Sequence, residues 1–383
     1  MPNYSDRFER LVERRTAPVP SPVKKSMIEA IYDERDVYRA SATNEIYNQI
    51  EQEGKATRYA IGAMEPVDEN YTRITYEEGK RIENQLEKAF AKCGIECEYR
   101  YQGSVPCDLH IKAHSDIDML AITRRFWSLE PPLEPSYPYQ GKPVEDLREI
   151  RRETADCLDG AFPQAVVDKS GPKSISIVGG SLRRKVDIVP ANWLDTNLYS
   201  QTRLERDRAI QILHDETGER IKNFPFLHID RVHQRDIAVF GGMRKVARLM
   251  KSLKYDSDNH VTLSSYDIAG IAYAIPDSSL IAPRELQLQL LYRLKQFLDQ
   301  LAEDEPLRNS LIVPDGTRRV FCDGHANLDR LKAMQDEVDD LVKAVAMDLN
   351  RSFDKLAEAR ISFKSRPPIA PLHFNPLTTR NTF

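Results

Sequence analysis

Three acidic side chains interrupt apolar stretches of the sequence, and their type and spacing could hold a divalent cation. Asp116 and Asp118 stand at the start of the apolar run 117–122, and Asp187 lies within the run 186–189. Side chains at i and i+2 of a strand share one face, so Asp116 and Asp118 repel each other unless a cation lies between them. Burying Asp187 on an apolar strand is costly without a metal or a basic partner. These three residues are therefore the predicted catalytic residues and metal ligands.

Each acidic signal has a plainer interpretation when it is taken alone. An Asp-x-Asp pattern also occurs in loops and helix caps, and Asp187 could form a salt bridge with a basic neighbour. The basic neighbours are Arg183, Arg184 and Lys185. The combination is more specific, because hard oxygen ligands on converging strands suit Mg²⁺, which takes its remaining ligands from water and substrate phosphates.

A glycine-serine turn and a basic helix face could bind phosphate. Gly103 lets backbone N–H groups approach a phosphate closely, and the hydroxyl of Ser104 could donate to it. Arg248, Lys251 and Lys254 recur at i, i+3 and i+6, so they share much of one face of a predicted helix. Taken separately, these features are also typical of an ordinary turn and of solvated basic residues.

The next predicted helix opens with two serines and a tyrosine. There the hydroxyl of Ser265 and free N–H groups could hold an anion, and Tyr266 could pack in the core or stack on a nucleobase. Together with the Gly-Ser turn and the three acids, this pattern matches what phosphoryl transfer between nucleotides requires.

The elements that must position these residues follow from periodicity and from turn residues. Helical spacing precedes the first strand, short strands with period-two alternation follow, and helical patterns replace the strand signal beyond about residue 200. The predicted helices are 26–53, 77–93, 145–160, 235–254, 264–275, 284–304 and 328–359; the predicted strands are 97–101, 117–122, 165–167, 175–177 and 186–190. The proline-rich stretch 128–144 is a predicted surface loop.

These elements predict an α+β fold with a C-terminal helical lobe. A mixed sheet with flanking helices, and an active site in the cleft between the sheet and the lobe, are what the family resemblance given below implies. Four segments are predicted. They are an N-terminal helical segment at 1–55, a catalytic core at 56–205, a helical lobe at 206–363 and a proline-rich tail at 364–383.

Composition excludes several other classes of protein. Hydrophobic residues make up 41% and charged residues 30% of the 383 residues, which is typical of a globular protein. Charged residues near the N-terminus, in place of the apolar stretch of a secretory signal, predict a cytoplasmic protein. The net charge of -4 disfavours long nucleic acid as a partner. The five cysteines are predicted to be reduced, and the pair Cys93 and Cys97 is too few ligands for a zinc site.

The pattern resembles the polymerase-β-like nucleotidyltransferases, and within them the bacterial cyclic-oligonucleotide synthases related to animal cyclic GMP-AMP synthase and oligoadenylate synthase. The resemblance covers roughly residues 75–360. Its most specific pieces are GS at 103–104, SDID at 115–118, VDIVPA at 186–191, LMKSLK at 249–254 and SSY at 264–266.

The resemblance implies a role for each of these pieces. Two Mg²⁺ ions, with Mn²⁺ as a substitute, would be bound by Asp116 and Asp118, and Asp187 would bind the ion that activates the attacking ribose hydroxyl. Gly103, Ser104, Lys251 and Ser265 would contact phosphates, Lys254 would be a further phosphate partner, and Tyr266 would stack on a base. The expected substrates are nucleoside triphosphates. The product would act on a separate effector protein in anti-phage defence, and a regulatory protein partner is expected, with no membrane partner.

Two other functions remain open at the level of sequence. A template-independent polymerase acting on RNA ends would need a basic track, which could include Arg183, Arg184, Lys185, Arg244, Lys245 and Arg248. A catalytically silent nucleotide-binding module would keep the fold without turnover. Base choice, linkage and ring size depend on residues that the sequence does not place.

Overall fold

The structure is a computed structural model that describes residues 2–16, 45–114 and 116–360, with side chains described as far as Arg351. The predicted helix at 26–53 lies largely outside these ranges, and the predicted tail from 364 lies wholly outside them. The described helices of the N-terminal half are α1 (Tyr4–Thr16), α2 (Ile46–Gln49), α3 (Lys55–Met64), α4 (Glu69–Cys93), α5 (Pro143–Ala161) and α6 (Asn197–Thr202). Those of the C-terminal half are α7 (Pro225–Ala238), α8 (Gly242–Asp256), α9 (Ser265–Ala274), α10 (Asp277–Leu280), α11 (Leu288–Glu303), α12 (Glu305–Ser310) and α13 (Leu328–Arg360).

Seven strands form one mixed sheet. The strands are β1 (Cys97–Gln102), β2 (Ile117–Leu129), β3 (Ala165–Asp168), β4 (Ile175–Gly179), β5 (Val186–Asp195), β6 (Ala209–His214) and β7 (Glu219–Asn223). The order is β1-β2-β5-β4-β3, with β6 paired to β5 and β7 paired to β6. Only β2 and β5 run parallel among these described pairs, which places the starts of both strands at the same edge of the sheet.

The two faces of the sheet pack against different partners. Met119 and Ile188 belong to a buried cluster with side chains of α4 and α5. Leu120 and Val189, one residue further along each strand, belong to a second cluster against which Phe226 of α7 packs. Because side chains alternate, Asp118 shares the face of Leu120 and Asp187 shares the face of Val189. The acids therefore lie on the sheet face opposite α4 and α5.

The helical lobe has its own apolar core, to which the N-terminal helices contribute. Phe8 and Leu11 of α1 and Met64 of α3 are buried together with Leu249 and Leu253 of α8. The same cluster includes residues of α9, α11 and α13. A buried leucine or phenylalanine contributes about 2 kcal/mol, so this cluster is the main reason why α1 and α3 pack on the C-terminal half.

The α+β class is confirmed, but the predicted end of the strand region is wrong. Strands β6 and β7 lie beyond residue 200, and they extend the sheet to Asn223. The sequence of β7, ERIKN, contains one apolar residue, so it carries no alternating pattern that periodicity could detect. Strand β2 continues to Leu129, into the stretch predicted as a loop, whereas the helix predicted at 145–160 is confirmed as α5.

The helix α1 falls in the segment 1–55, which was predicted to be helical, but no individual helix was predicted at 4–16. It is amphipathic, and its buried residues include Phe8 and Leu11. Among the described residues, no helix combines the length and the apolar character that crossing a bilayer requires.

Candidate active site

Asp118 and Asp187 lie directly opposite each other on adjacent strands. In the parallel pairing of β2 with β5, Asp118 is the register partner of Asp187. Asp116 precedes β2 by one residue and shares the face of Asp118. The three carboxylates predicted from sequence are thus brought to one edge of the sheet.

The electrostatics of this acidic cluster (Asp116, Asp118 and Asp187) show an incompletely balanced negative charge. Burial, followed by the charges of Asp187 and Asp116, raises the pKa of Asp118 to about 7. The ammonium group of Lys185 donates to Asp187 Oδ2 at 2.8 Å and to Asp116 Oδ2 at 3.1 Å. Burial alone would lower the pKa of Lys185, but these hydrogen bonds outweigh it and the pKa is raised. One lysine is therefore paired with two of the three acids, and Ser176 also donates a hydrogen bond to Asp187.

The glycine-serine turn lies against the acidic cluster. Gly103 has a φ of 78°, and a Cβ at this position would stand 2.2 Å from Asp118 Oδ2. Only a residue without a side chain permits this approach, which brings the turn next to Asp118. Ser104 follows at the start of a loop whose Leu109 donates its N–H to the carbonyl of Ser104 at 2.9 Å.

The predicted phosphate ligand Lys251 reaches this loop from α8. Its ammonium group donates to the carbonyl of Leu109 at 2.8 Å. Lys251 is only 2% exposed. Burial lowers the pKa of Lys251 to about 8. The basic group predicted for the nucleotide site is therefore next to the Gly-Ser turn, where it is engaged with backbone.

The end of α8 lies beside the acidic cluster, and the start of α9 contacts the end of α8 through Ser265 and Tyr255. Tyr255 stacks on His114, two residues before Asp116, with 4.4 Å between ring centroids. Lys254 is half-buried, its ammonium group lies 5.4 Å from the Tyr255 ring centre, and burial lowers its pKa. Ser265 is the first residue of α9, whose N-cap is the preceding serine.

Tyr266 is held firmly by groups that the sequence did not indicate. Its hydroxyl donates to Asp315, its ring stacks on His228 at 4.7 Å, and the guanidinium carbon of Arg318 lies 5.1 Å from the ring centre. Asp315 also accepts hydrogen bonds from Thr317. The orientation of the tyrosine ring is therefore fixed by the protein, while stacking on a base stays a prediction.

The residues of the acidic cluster fit a divalent cation in their chemistry. All three provide hard carboxylate oxygens, and burial together with the charges of Asp187 and Asp116 raises the pKa of Asp118 despite the nearby Lys185 and Lys251. Within 2–16, 45–114 and 116–360, no group of three His, Cys, Asp or Glu residues is already arranged to hold a metal ion. Lys185 lies between Asp116 and Asp187 instead, so the salt bridge considered as the plainer interpretation of Asp187 is present.

Basic residues considered for an RNA track are engaged within the protein. Arg248 is 4% exposed and pairs with Asp108. Arg184 donates to the hydroxyl of Tyr71 and lies over its ring at 3.6 Å. The other engaged members are Lys185, bound to the acidic cluster, Arg244, bound to Asp236, and Lys245, bound to Gln287. These five groups do not form a solvated track for a polymer.

The histidines were not predicted as metal ligands, because the three aspartates already satisfy a hard cation. His110 was expected at the surface or in a loop; it lies in a loop but is only 1% exposed and hydrogen-bonds Thr72. Its position between two apolar residues of a packed loop gave no periodic signal of burial. All five cysteines are free thiols.

Comparison with known proteins is consistent with this geometry. No family model matches the sequence. The chain is 38% identical over 344 residues to the cyclic dinucleotide synthase CdnE of Yersinia aleksiciae, covering 87% of this chain and 90% of that protein. It is 30% identical over 359 residues to a c-di-GMP synthase of Capnocytophaga granulosa, covering 87% of this chain and 94% of that protein.

Solved structures share the fold. The STING-associated CdnE c-di-GMP synthase from Capnocytophaga granulosa superposes with a TM-score of 0.66 at 27% identity, covering 91% of this chain and 100% of that one. A STING-associated CdnE c-di-GMP synthase from a Flavobacteriaceae species gives a TM-score of 0.70 at 22% identity, covering 90% of this chain and 99% of that one.

The fold and the relatives define a nucleotidyltransferase of the polymerase-β-like class, as the sequence predicted. Within this class, the chain belongs to the family of cyclic dinucleotide synthases, which join nucleoside triphosphates into a cyclic second messenger.

Proposed function

We propose that this chain condenses two molecules of GTP into cyclic di-GMP at a site built on Asp116, Asp118 and Asp187. The observation that carries the site is the direct pairing of Asp118 with Asp187 on parallel strands, with Asp116 on the same face. Two Mg²⁺ ions, for which Mn²⁺ can substitute, would be held by these carboxylates. The unbalanced charge of the acidic cluster supports this assignment.

Each residue of the proposed site has a separate role in the reaction. When bound, the divalent ions lower the pKa of the attacking ribose hydroxyl and neutralise charge on the leaving pyrophosphate. The Gly103-Ser104 turn, which lies against Asp118, binds the triphosphate. Lys251 and Ser265 contact phosphates, Lys254 is a further phosphate partner, and Tyr266 stacks on a base. The attack on the α-phosphorus forms one phosphodiester bond and releases one pyrophosphate. A second attack, on the α-phosphorus of the linear intermediate, closes the ring and releases the second pyrophosphate.

The choice of guanine is supported by the relatives. The Capnocytophaga granulosa relative and a Lachnospiraceae relative, 29% identical over 308 residues, are both c-di-GMP synthases. The Capnocytophaga protein is STING-associated. We therefore infer that the product acts on a separate effector protein in anti-phage signalling, and that a regulatory protein partner controls the synthase.

The test is a product analysis with defined triphosphates. Purified protein is incubated with GTP alone, with ATP alone and with all four triphosphates, each with Mg²⁺ or with EDTA, and phosphatase-treated products are identified by mass spectrometry. We expect cyclic di-GMP from GTP alone and from the mixture, and no product with EDTA. A mixed cyclic GMP-AMP product would contradict the assignment of guanine only. Turnover in EDTA would contradict the metal assignment.

A further inference from the structure

Basic side chains of α8 hold the loop that follows the Gly-Ser turn by three consecutive backbone carbonyls. The donors stand at i, i+4 and i+7 of α8, so they line one helix face. The bonds run from Arg244 Nε to the carbonyl of Cys107, from Arg248 Nη1 to that of Asp108 and from Lys251 Nζ to that of Leu109, each at 2.8 Å. We call these three donors the carbonyl ladder.

The held loop is directly connected to Ser104. Leu109, whose carbonyl accepts from Lys251, donates its own N–H to the carbonyl of Ser104 at 2.9 Å. Asp108 donates its N–H to the carbonyl of Val105 at 3.0 Å and has a φ of 52°. Aspartate adopts the left-handed conformation more readily than most residues, and the contacts of Arg248 with the carbonyl and the carboxylate of Asp108 help to hold it there. A displacement of the carbonyl ladder would therefore move Ser104.

Arg248 is the central member of the ladder and joins three parts of the fold. Its side chain is buried, and its Nη1 also pairs with Asp108 Oδ2 at 3.2 Å. Its Nε donates to the carbonyl of Met64, the last residue of α3, at 2.9 Å. Burying a guanidinium group is costly unless its donors are satisfied, so these contacts have to be made together.

We propose that Arg244 and Arg248 are positioning residues that set the Ser104 loop against the helical lobe at the distance that triphosphate binding requires. This inference rests on the proposed function, because it takes Ser104 as a triphosphate ligand. Neither arginine contacts substrate in this scheme. Their effect reaches the nucleotide through the carbonyls of residues 107 and 108 and the hydrogen bond from Leu109 to Ser104.

The test compares steady-state kinetics of three variants. Arg248→Lys keeps the charge but loses the planar set of donors. Arg244→Met removes the first donor of the carbonyl ladder, whose side chain is less buried than that of Arg248. The control is Arg235→Met, since Arg235 also donates to backbone carbonyls, those of Tyr273 and Ile275, but only within the helical lobe. Melting curves establish that each variant is folded. We expect KM for GTP to rise about tenfold in the two ladder variants, with kcat within about threefold of wild type, and no change of KM in the control.

A double-mutant cycle adds a second readout. Asp108→Asn removes the ion pair but keeps the backbone carbonyl, so its effect on KM should not add to that of Arg248→Lys. Unchanged KM in a folded Arg244→Met or Arg248→Lys protein would overturn the inference, as would an equal rise in the control. If Arg248→Lys does not fold, Arg244→Met decides the question. Activity retained by Asp118→Asn would instead contradict the proposed active site, so the two failures are distinguishable.

Discussion

Two charged regions face each other where the sheet meets the helical lobe, and they differ in how their charge is balanced. In the acidic cluster, Lys185 is shared by Asp116 and Asp187, and the pKa of Asp118 stays raised to about 7. In the carbonyl ladder, each basic group donates to a backbone carbonyl. The first region has an excess of negative charge, which a substrate-bound cation can balance. In the second region the two arginines are engaged with backbone, and Lys251 is the member that we also propose as a phosphate ligand.

The comparison shows that residue type does not distinguish a binding group from a structural one. Arg248 and Lys251 share a helix face, which the sequence suggested for phosphate binding, yet both are buried against backbone. The carboxylates of Asp118 and Asp187 lie in the stretches 117–122 and 186–191, whose other residues are apolar. What separates the two regions is whether each charged group has its partners within the protein.

The largest expected effect is the loss of turnover when an acid of the cluster is removed. Asp187→Ala and Asp118→Asn should each lower the rate of pyrophosphate release about a thousandfold, because an oxygen ligand for the metal ions is lost. The control is Asp195→Asn at the far end of β5, where the carboxylate pairs with Arg208; its rate should stay within about twofold. If Asp118→Asn kept more than about a tenth of the wild-type rate, the assignment would be wrong.

The second effect tests the contact between the Gly-Ser turn and the acidic cluster. In Gly103→Ala, the new Cβ would stand 2.2 Å from Asp118 Oδ2, so the turn or the carboxylate must move. A displacement of about 1 Å in an active site costs on the order of a hundredfold in rate, and we expect a loss of this size in pyrophosphate release.

Gly179→Ala is the matched control for this contact. Gly179 has a φ of 84°, and its Cβ would meet nothing within 4 Å. Gly179→Ala should therefore lower the free energy of unfolding by about 1 kcal/mol through its backbone conformation alone, without a steric clash. Both variants should melt at a lower temperature, but only Gly103→Ala should lose activity. Equal activities of the two variants would show that the close approach is unimportant.

The sequence predicted the acidic cluster and most helices of the C-terminal half for a physical reason, although the single helix predicted at 235–254 is two helices, α7 and α8, separated at 239–241. The carboxylates of Asp118 and Asp187 interrupt apolar stretches of sequence. The i and i+2 spacing of Asp116 and Asp118 indicates that these two side chains share a face. The long helices α8 and α11 carry a strong 3.6-residue pattern. Such patterns are local in sequence, so they can be recognised without knowledge of the tertiary structure.

The carbonyl ladder and the end of the sheet could not be predicted in this way. Strand β7 is stabilised by pairing with β6, which is a contact between segments and leaves no apolar alternation in β7 itself. The partners of Arg244 and Arg248 are backbone carbonyls more than a hundred residues earlier, at Cys107 and Asp108. A carbonyl carries no side-chain signature, so only the fold reveals that these arginines are occupied.

The third effect concerns His110, which is buried beside the ladder. Burial, followed by the charges of Lys251 and Arg248, lowers the pKa of His110 from 6.5 to about 3. Between these pH values the unfolded chain binds a proton that the folded chain does not. The free energy of unfolding is therefore unaffected by His110 above about pH 6.5 and decreases as the pH drops below it. The loss should reach about 2 kcal/mol at pH 5. Urea unfolding at pH 7 and pH 5 should show a smaller difference in His110→Gln than in wild type.

The exposed residue His325 provides the control for this pH dependence. His325→Gln should keep the wild-type difference between pH 7 and pH 5. His110→Gln could instead keep the full difference in unfolding free energy between pH 7 and pH 5. His110 would then not be the group whose protonation burial and the neighbouring basic residues prevent.

The smallest effect tests whether Lys185 neutralises part of the acidic cluster when no divalent ion is bound. Lys185→Met should lower stability without divalent ions by about 1 kcal/mol, because Asp116 and Asp187 lose their shared partner. Added Mg²⁺ should then raise the melting temperature of the variant more than that of wild type, since the cation no longer competes with the lysine. The control is Lys222→Met, which removes a similarly exposed lysine paired with Glu130. Its Mg²⁺ response should equal that of wild type. An unchanged response in Lys185→Met would mean that the lysine and the metal ions do not share the acidic cluster.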